Sequence, residues 1–181
     1  MSDGLDEALD AAWAAFEAGA RDADAAGRTV AVASVRAGGG AEARMMVLRA
    51  ASRTDGTLQV QSDAAAGKVA EFGADPRGTI LLWDPEAQLQ VRARFTARIA
   101  TGAEASDAWD RIPEPARARY GGTAPGTPIA APEDVTGGPD PARFAVLTLA
   151  VDEIETLRLG DPHRRALFRA GDGWRGRWLS P

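Results

Sequence analysis

The stretch from Arg44 to Lys68, RMMVLRAASRTDGTLQVQSDAAAGK, concentrates the side chains best suited to holding an anion. Arg44 and Arg49 stand towards one end, Lys68 at the other, and Gln59, Gln61 and Ser62 lie between them. A phosphate needs converging cations and N–H donors, and the amino end of a helix supplies the latter. Asp63–Lys68 reads as such a helix start, with Ser62 beside it. Arg44 adds a planar fork that matches two phosphate oxygens. Lys68 is the only lysine beside 20 arginines, so its position reads as one that wants a compact, flexible ammonium. Arg44 and Arg49 are five residues apart, and in a regular strand they point to opposite faces. Either the strand bulges there, or the two arginines serve different ends of one ligand. Taken singly, each is also explained as a surface arginine.

Other chemistries are excluded or disfavoured by composition. Without cysteine there is no disulfide, thiolate nucleophile or Cys-based metal site. One histidine, His163, cannot make a His-rich metal site. A net charge of −5 and a pI near 5.0 argue against duplex nucleic acid as a partner, since no run of arginines forms a basic face. The opening MSDGLDEALDAAWAAF is acidic and lacks the basic region and apolar core of a signal peptide. No apolar run approaches the roughly 20 residues that span a bilayer, so neither membrane insertion nor export is expected and a cytoplasmic setting is. The 181 residues fit one domain, 1–181, or one protomer of an intimate dimer. A chain of this size buries roughly 70% of its extended surface and needs no staples.

The elements that must carry these side chains follow from spacing. Leu5, Leu9, Trp13 and Phe16 recur at helical intervals, predicting a helix over 4–18 that Ser2 or Asp3 caps and Gly19 ends. Thr29–Arg36, Glu42–Leu48 and Thr57–Ser62 read as strands, the first two joined across Gly38-Gly39-Gly40. Asp63 is placed to cap a short helix holding Lys68, Val69 and Phe72 that stops before Asp75-Pro76. Gly78–Trp83 and Gln88–Ala100 are two further strands. In the second, Leu89, Val91, Ala93 and Phe95 share one face, and Gln90, Arg92, Arg94 and Thr96 the other. Residues 103–120 look helical with a break at Pro113–Pro115, and 121–141 is a Gly- and Pro-dense loop long enough for a functional or subunit-contact role. Phe144–Val151, Ile154–Leu159, Ala166–Arg169 and Trp174–Leu179 complete the strands, with Gly171-Asp172-Gly173 as the last turn. Six to eight strands with short antiparallel connections close best as a small barrel, so the fold class is mainly β with flanking helices.

With the residues in this order, the chain resembles the pyridoxamine 5′-phosphate oxidase family. RMMVLR resembles the family's R-x-V-L-[K/R] strand, and QVQSDAAAGK its segment ending in a phosphate-binding lysine. LQVRA is similar to the R-Q-V-R-V strand, and DPHRRALF with WRGRWLSP to the family's closing segments. The resemblance spans about Thr29 to Pro181. It implies an antiparallel FMN-binding split β-barrel, a homodimer with FMN at the subunit interface, and flavin-dependent redox chemistry on a small molecule. Arg44 and Lys68 would hold the FMN phosphate, with Ser62 helping and Gln61 in the same set. The backbone of Met45, Met46, Val47 and Leu48 would run beside the flavin ring. Gln90 would hydrogen-bond the ring and Arg165 would lie near its pyrimidine end, either of them from the other chain. Arg49 would stand at the cofactor–substrate boundary and His163 on the substrate side. No catalytic residue is assigned.

The chain also departs from that pattern. Ala66-Gly67 stands where the oxidases have Ser-Arg, Leu157 where they have a flavin-flanking Trp, and Asp161 where they have a substrate-phosphate Arg. The Tyr, Arg and Ser expected in the middle segment are not recognisable. FMN binding survives these differences better than pyridoxamine phosphate oxidation. Two rivals stay open: a true pyridoxamine or pyridoxine phosphate oxidase, which needs a second phosphate-binding cation cluster, and a non-enzymatic flavin store or redox sensor. A haem- or deazaflavin-binding relative is a third.

Overall fold

The amino-terminal helix α1, Asp3–Arg21, leads into the barrel in a computed structural model that describes residues 3–181. Leu9, Trp13 and Phe16 are buried on one face of α1, which packs on the sheet. The helix does not stop at Gly19. A Cβ there would lie 2.2 Å from the carbonyl of Gly27, so this glycine lets the following turn press against the helix. A cap at Ser2 lies outside the described residues, and Asp3 already belongs to the helix.

Eight strands follow: β1 (Thr29–Val35), β2 (Ala41–Ser52), β3 (Thr57–Asp63), β4 (Arg77–Asp84), β5 (Leu89–Thr101), β6 (Phe144–Arg158), β7 (Arg164–Arg169) and β8 (Arg177–Leu179). They form one antiparallel sheet in the order β3–β2–β1–β4–β5–β6–β7–β8, and β3 also pairs with β6. Six strands thus close into a barrel, as expected of a split-barrel fold, with β7 and β8 extending beyond it. Period-two alternation drives the closure. On β5, Leu89, Val91, Ala93 and Phe95 are buried, and Gln90, Arg92, Arg94 and Thr96 face out.

Phe144–Val151 and Ile154–Leu159 prove to be one strand, not two. The register against β5 shifts so that Arg94 pairs with Glu153 and Phe95 with Val151, leaving Asp152 as an exposed bulge. A charged residue inside an apolar run reads as a break, but a bulge accommodates it without ending the strand. The first half of β6 closes the barrel on β3 and the second half carries β7. The last strand is shorter than expected, because Trp174 takes positive φ and packs edge-on against Trp13 instead of pairing.

Helix α2, Gly67–Ala74, crosses one mouth of the barrel and is anchored by Phe72, which meets Phe95 at 5.7 Å between ring centroids. Between β5 and β6 the chain forms α3 (Ser106–Asp110), α4 (Glu114–Arg117) and a long loop over 121–141. A second apolar cluster of Trp109, Tyr120 and Phe144 holds this segment to the barrel. Among the described residues no helix is long and apolar enough to cross a membrane.

Candidate functional site

The outer face of β2 and β3, the amino end of α2 and the loop beyond α4 enclose a cleft of about 580 Å³. Eight of the residues expected to hold a cofactor line it: Arg44, Met45, Met46, Val47, Arg49, Gln61, Ser62 and Lys68. Arg119 and Pro125 complete its far side. Of the two readings of Arg44 and Arg49, the strand bulges: register against β3 shifts between Leu48 and Ala50, with Arg49 as the extra residue. The Leu48 side chain is fully buried in the barrel core and does not reach the cleft.

At the α2 end, Arg44 is already engaged. Its Nη2 donates to Glu71 Oε2 at 2.7 Å, and its Nη1 to Ser34 Oγ at 2.5 Å. Ser34 Oγ in turn donates to the same Glu71 oxygen. Burial pushes the Glu71 carboxyl up, but Ser34 and Arg44 outweigh it and hold the group below its ordinary 4.5. Among the described residues Lys68 forms no ion pair; its Nζ meets Ser62 Oγ at 3.4 Å. Burial, and then Arg44, lower its pKa from 10.5, opposed by Glu71 and Asp63. A desolvated ammonium beside a guanidinium gains from an incoming anion.

Asp63 does not cap α2, whose N-cap is Ala66 without a side-chain bond. Its Oδ1 instead accepts from Ala65 N and from Arg143 Nε and Nη2 at 2.8–2.9 Å, and its Oδ2 from Gly121 N. Asp63 therefore ties both ends of the 121–141 loop to β3. Within that loop, Gly122 takes φ +72°, and a Cβ there would lie 2.1 Å from the Thr136 carbonyl.

A second cleft of about 430 Å³ shares Arg49, Gln61 and Arg119 with the first and adds Arg111, Ile112 and Tyr120. None of the three arginines meets a carboxylate among the described residues, and Arg49 Nε is buried without a partner. Arg111 and Arg119, and Glu71 and Ser34 behind Arg44, escaped the sequence reading. The arginines looked scattered over a dispersed segment, whereas the fold gathers them. A larger groove of about 680 Å³ elsewhere on the barrel holds Arg77, Arg94 and Arg169. Arg77 pairs with Asp75, and Arg94 and Arg169 share Glu153; with Asp152 and Asp172 also in the lining, carboxylates outnumber the arginines there.

Gln90, Arg165 and His163 lie away from the cleft. Gln90 pairs with Leu157 and Leu157 with Arg165, a row across β5, β6 and β7. Buried Glu155 holds Arg165 at 3.1 Å and Arg92 at 2.7 Å. His163 sits in an exposed turn, its Nδ1 against the Gly160 backbone. In the six-membered ring β5 stands directly opposite β2, so their outward side chains point away from each other.

Residues 17–158 match the family model described as pyridoxamine 5′-phosphate oxidase. Among solved structures, a pyridoxamine 5′-phosphate oxidase-related, FMN-binding protein from Nostoc punctiforme is similar at TM-score 0.76 and 21% identity, over 97% of this chain and 96% of that one. PhzG from Burkholderia lata, in complex with tetrahydrophenazine-1-carboxylic acid, is similar at TM-score 0.75 and 19% identity, over 98% and 90%. A Clostridium acetobutylicum protein related to general stress protein 26 matches at TM-score 0.55 and 11% identity, over 80% and 87%. No curated protein matches the chain.

Proposed function

Because the chain belongs to the pyridoxamine 5′-phosphate oxidase family, we propose that it is an FMN-binding flavoprotein acting as an FMN-dependent oxidoreductase, with its cofactor between the subunits of a homodimer. The observation that carries this reading is the cleft in which Arg44, Met45, Met46, Val47, Arg49, Gln61, Ser62 and Lys68 converge. The donor set fits FMN. Lys68 and the amino end of α2 suit a phosphate, and the β2 backbone offers a flat edge for a ring. When bound, the flavin supplies two-electron redox chemistry. The side chains bind it, orient it and keep water from it.

The positions of Gln90 and Arg165 support the homodimer. A two-fold axis near β1 and β4 would bring the β5–β7 face of one copy onto the β2–β3 face of the other, twice over. The strip between these faces is apolar and exposed. Met45 pairs with Ala31 and Ala31 with Leu81, and Met45 and Leu81 are 63% and 38% exposed, as is Trp83 at 43%. Gln90 and Arg165 would then meet a flavin anchored by the partner, and burial of the ring between subunits would exclude water.

The neighbouring cleft with Arg49, Arg111 and Arg119 favours an enzyme over a flavin store, because it offers room and charge for a second, anionic ligand. It also favours one specific rival. Oxidation of pyridoxamine or pyridoxine phosphate requires a cation cluster apart from Arg44 and Lys68, and these three arginines supply one. Asp161 remains the argument against it. The test is a visible spectrum of the purified protein with the released chromophore identified by mass, then turnover with pyridoxamine 5′-phosphate. FMN near one per protomer is expected. A colourless protein that takes up no added FMN overturns the cofactor reading, and flavin without turnover leaves the phosphate oxidase reading behind.

A further inference from the structure

The phosphate end of the cleft holds less positive charge than its two cations imply. Arg44 is matched by Glu71 at 2.7 Å, a pair only 20% and 14% exposed. Asp63 is matched by Arg143 at 2.8 Å. Of the described cations beside α2, Lys68 alone is left unmatched; Arg49 and Arg119, also without a carboxylate, stand where this cleft meets the second one. A phosphate monoester at neutral pH carries about −1.5 to −2, so it exceeds the charge on Lys68 by about half to one unit and meets the Glu71 carboxylate behind Arg44. We propose that Glu71 is a specificity-determining residue that sets the charge this end of the cleft accepts, discounting a doubly charged phosphate relative to a neutral or singly charged group. The inference rests on the FMN reading and refines it.

The geometry explains how one residue does this. Glu71 lies three residues after Lys68 and one before Phe72, whose burial against Phe95 fixes the helix face. Its Oε2 takes bonds from both Arg44 and Ser34, so the carboxylate cannot swing out of the way without stranding a guanidinium and a hydroxyl. An amide at this position keeps an acceptor for both donors and removes the charge.

Glu71→Gln therefore separates charge from position. Dissociation constants of FMN and riboflavin for wild type and variant, by flavin fluorescence titration, read the effect. FMN tightening about tenfold or more, with riboflavin unmoved, is expected from removing the negative charge behind Arg44. FMN binding that is unchanged or weaker, or a riboflavin shift of the same factor, overturns the proposal. Should the variant fold poorly, wild type reports the same property. A preference for FMN over riboflavin below about a hundredfold, the factor one charged hydrogen bond supplies, is expected, and a larger one overturns the proposal. Wild type that binds neither flavin overturns the FMN reading and this inference together; flavin binding with the wrong ratio overturns this inference alone.

Discussion

In the proposed site Lys68 carries more of the anion end than a single lysine among arginines ordinarily would, because its neighbour Arg44 is spoken for by Glu71. Lys68→Ala is expected to weaken FMN binding by about 1.5–3 kcal/mol, the range of a charge-assisted hydrogen bond, in a fluorescence titration. An unchanged dissociation constant would remove Lys68 from the site. Lys68 was legible because its type breaks the compositional habit of the chain. Glu71 was not, since an acid between Lys68 and Phe72 on a short helix looks like a solvated face. Only the packing of α2 against β1 and β5 turns it towards Arg44. Arg49 shows the same limit: counting residues allows a bulge or two separate ends, and pairing with β3 decides for the bulge.

Elements place these residues through a few anchors. Phe72 sets the angle of α2, and Asp63 fastens the 121–141 loop through Arg143 and Gly121. Asp63→Asn leaves a partly buried guanidinium without its counter-charge. It is expected to lower unfolding free energy by about 3 kcal/mol, measured by chemical denaturation, and to expose the loop to limited proteolysis between 121 and 141. Equal stability with an unchanged cleavage pattern would show that the ion pair does not hold the loop. Aspartate before a helix is a strong capping signal, so the sequence pointed Asp63 at α2. The carboxylate instead answers an arginine 80 residues on, because a guanidinium and two backbone N–H groups satisfy it more fully than one helix turn. The strand pattern of β5 was legible outright, since its alternation is local. The continuity of β6 was not, since a bulge is defined by the partner strand.

At the scale of the whole molecule, the barrel sets β2 and β5 back to back, which makes a second copy necessary if Gln90 and Arg165 are to meet the cofactor. Leu81→Asp places a charge in the centre of the apolar strip between the two faces. It is expected to convert the proposed dimer to monomer in light scattering coupled to size exclusion, and to release FMN although Leu81 lines neither cleft. A variant that stays dimeric and coloured would place the interface elsewhere.

What the amino-acid sequence determined by itself is whatever depends on near neighbours: the apolar face of α1, the alternation of the strands, the mainly β class, and an ordered set of motifs sufficient to indicate the family. A candidate site residue stood out where its type was unusual, as at Lys68. The tertiary structure alone decided which charges face one another. Glu71 matches Arg44, Arg143 matches Asp63, and Arg49, Arg111 and Arg119 share one cleft without a carboxylate. Coulombic pairing depends on distance in space, and a closed barrel brings together strands and loops whose separation along the chain says nothing about that distance.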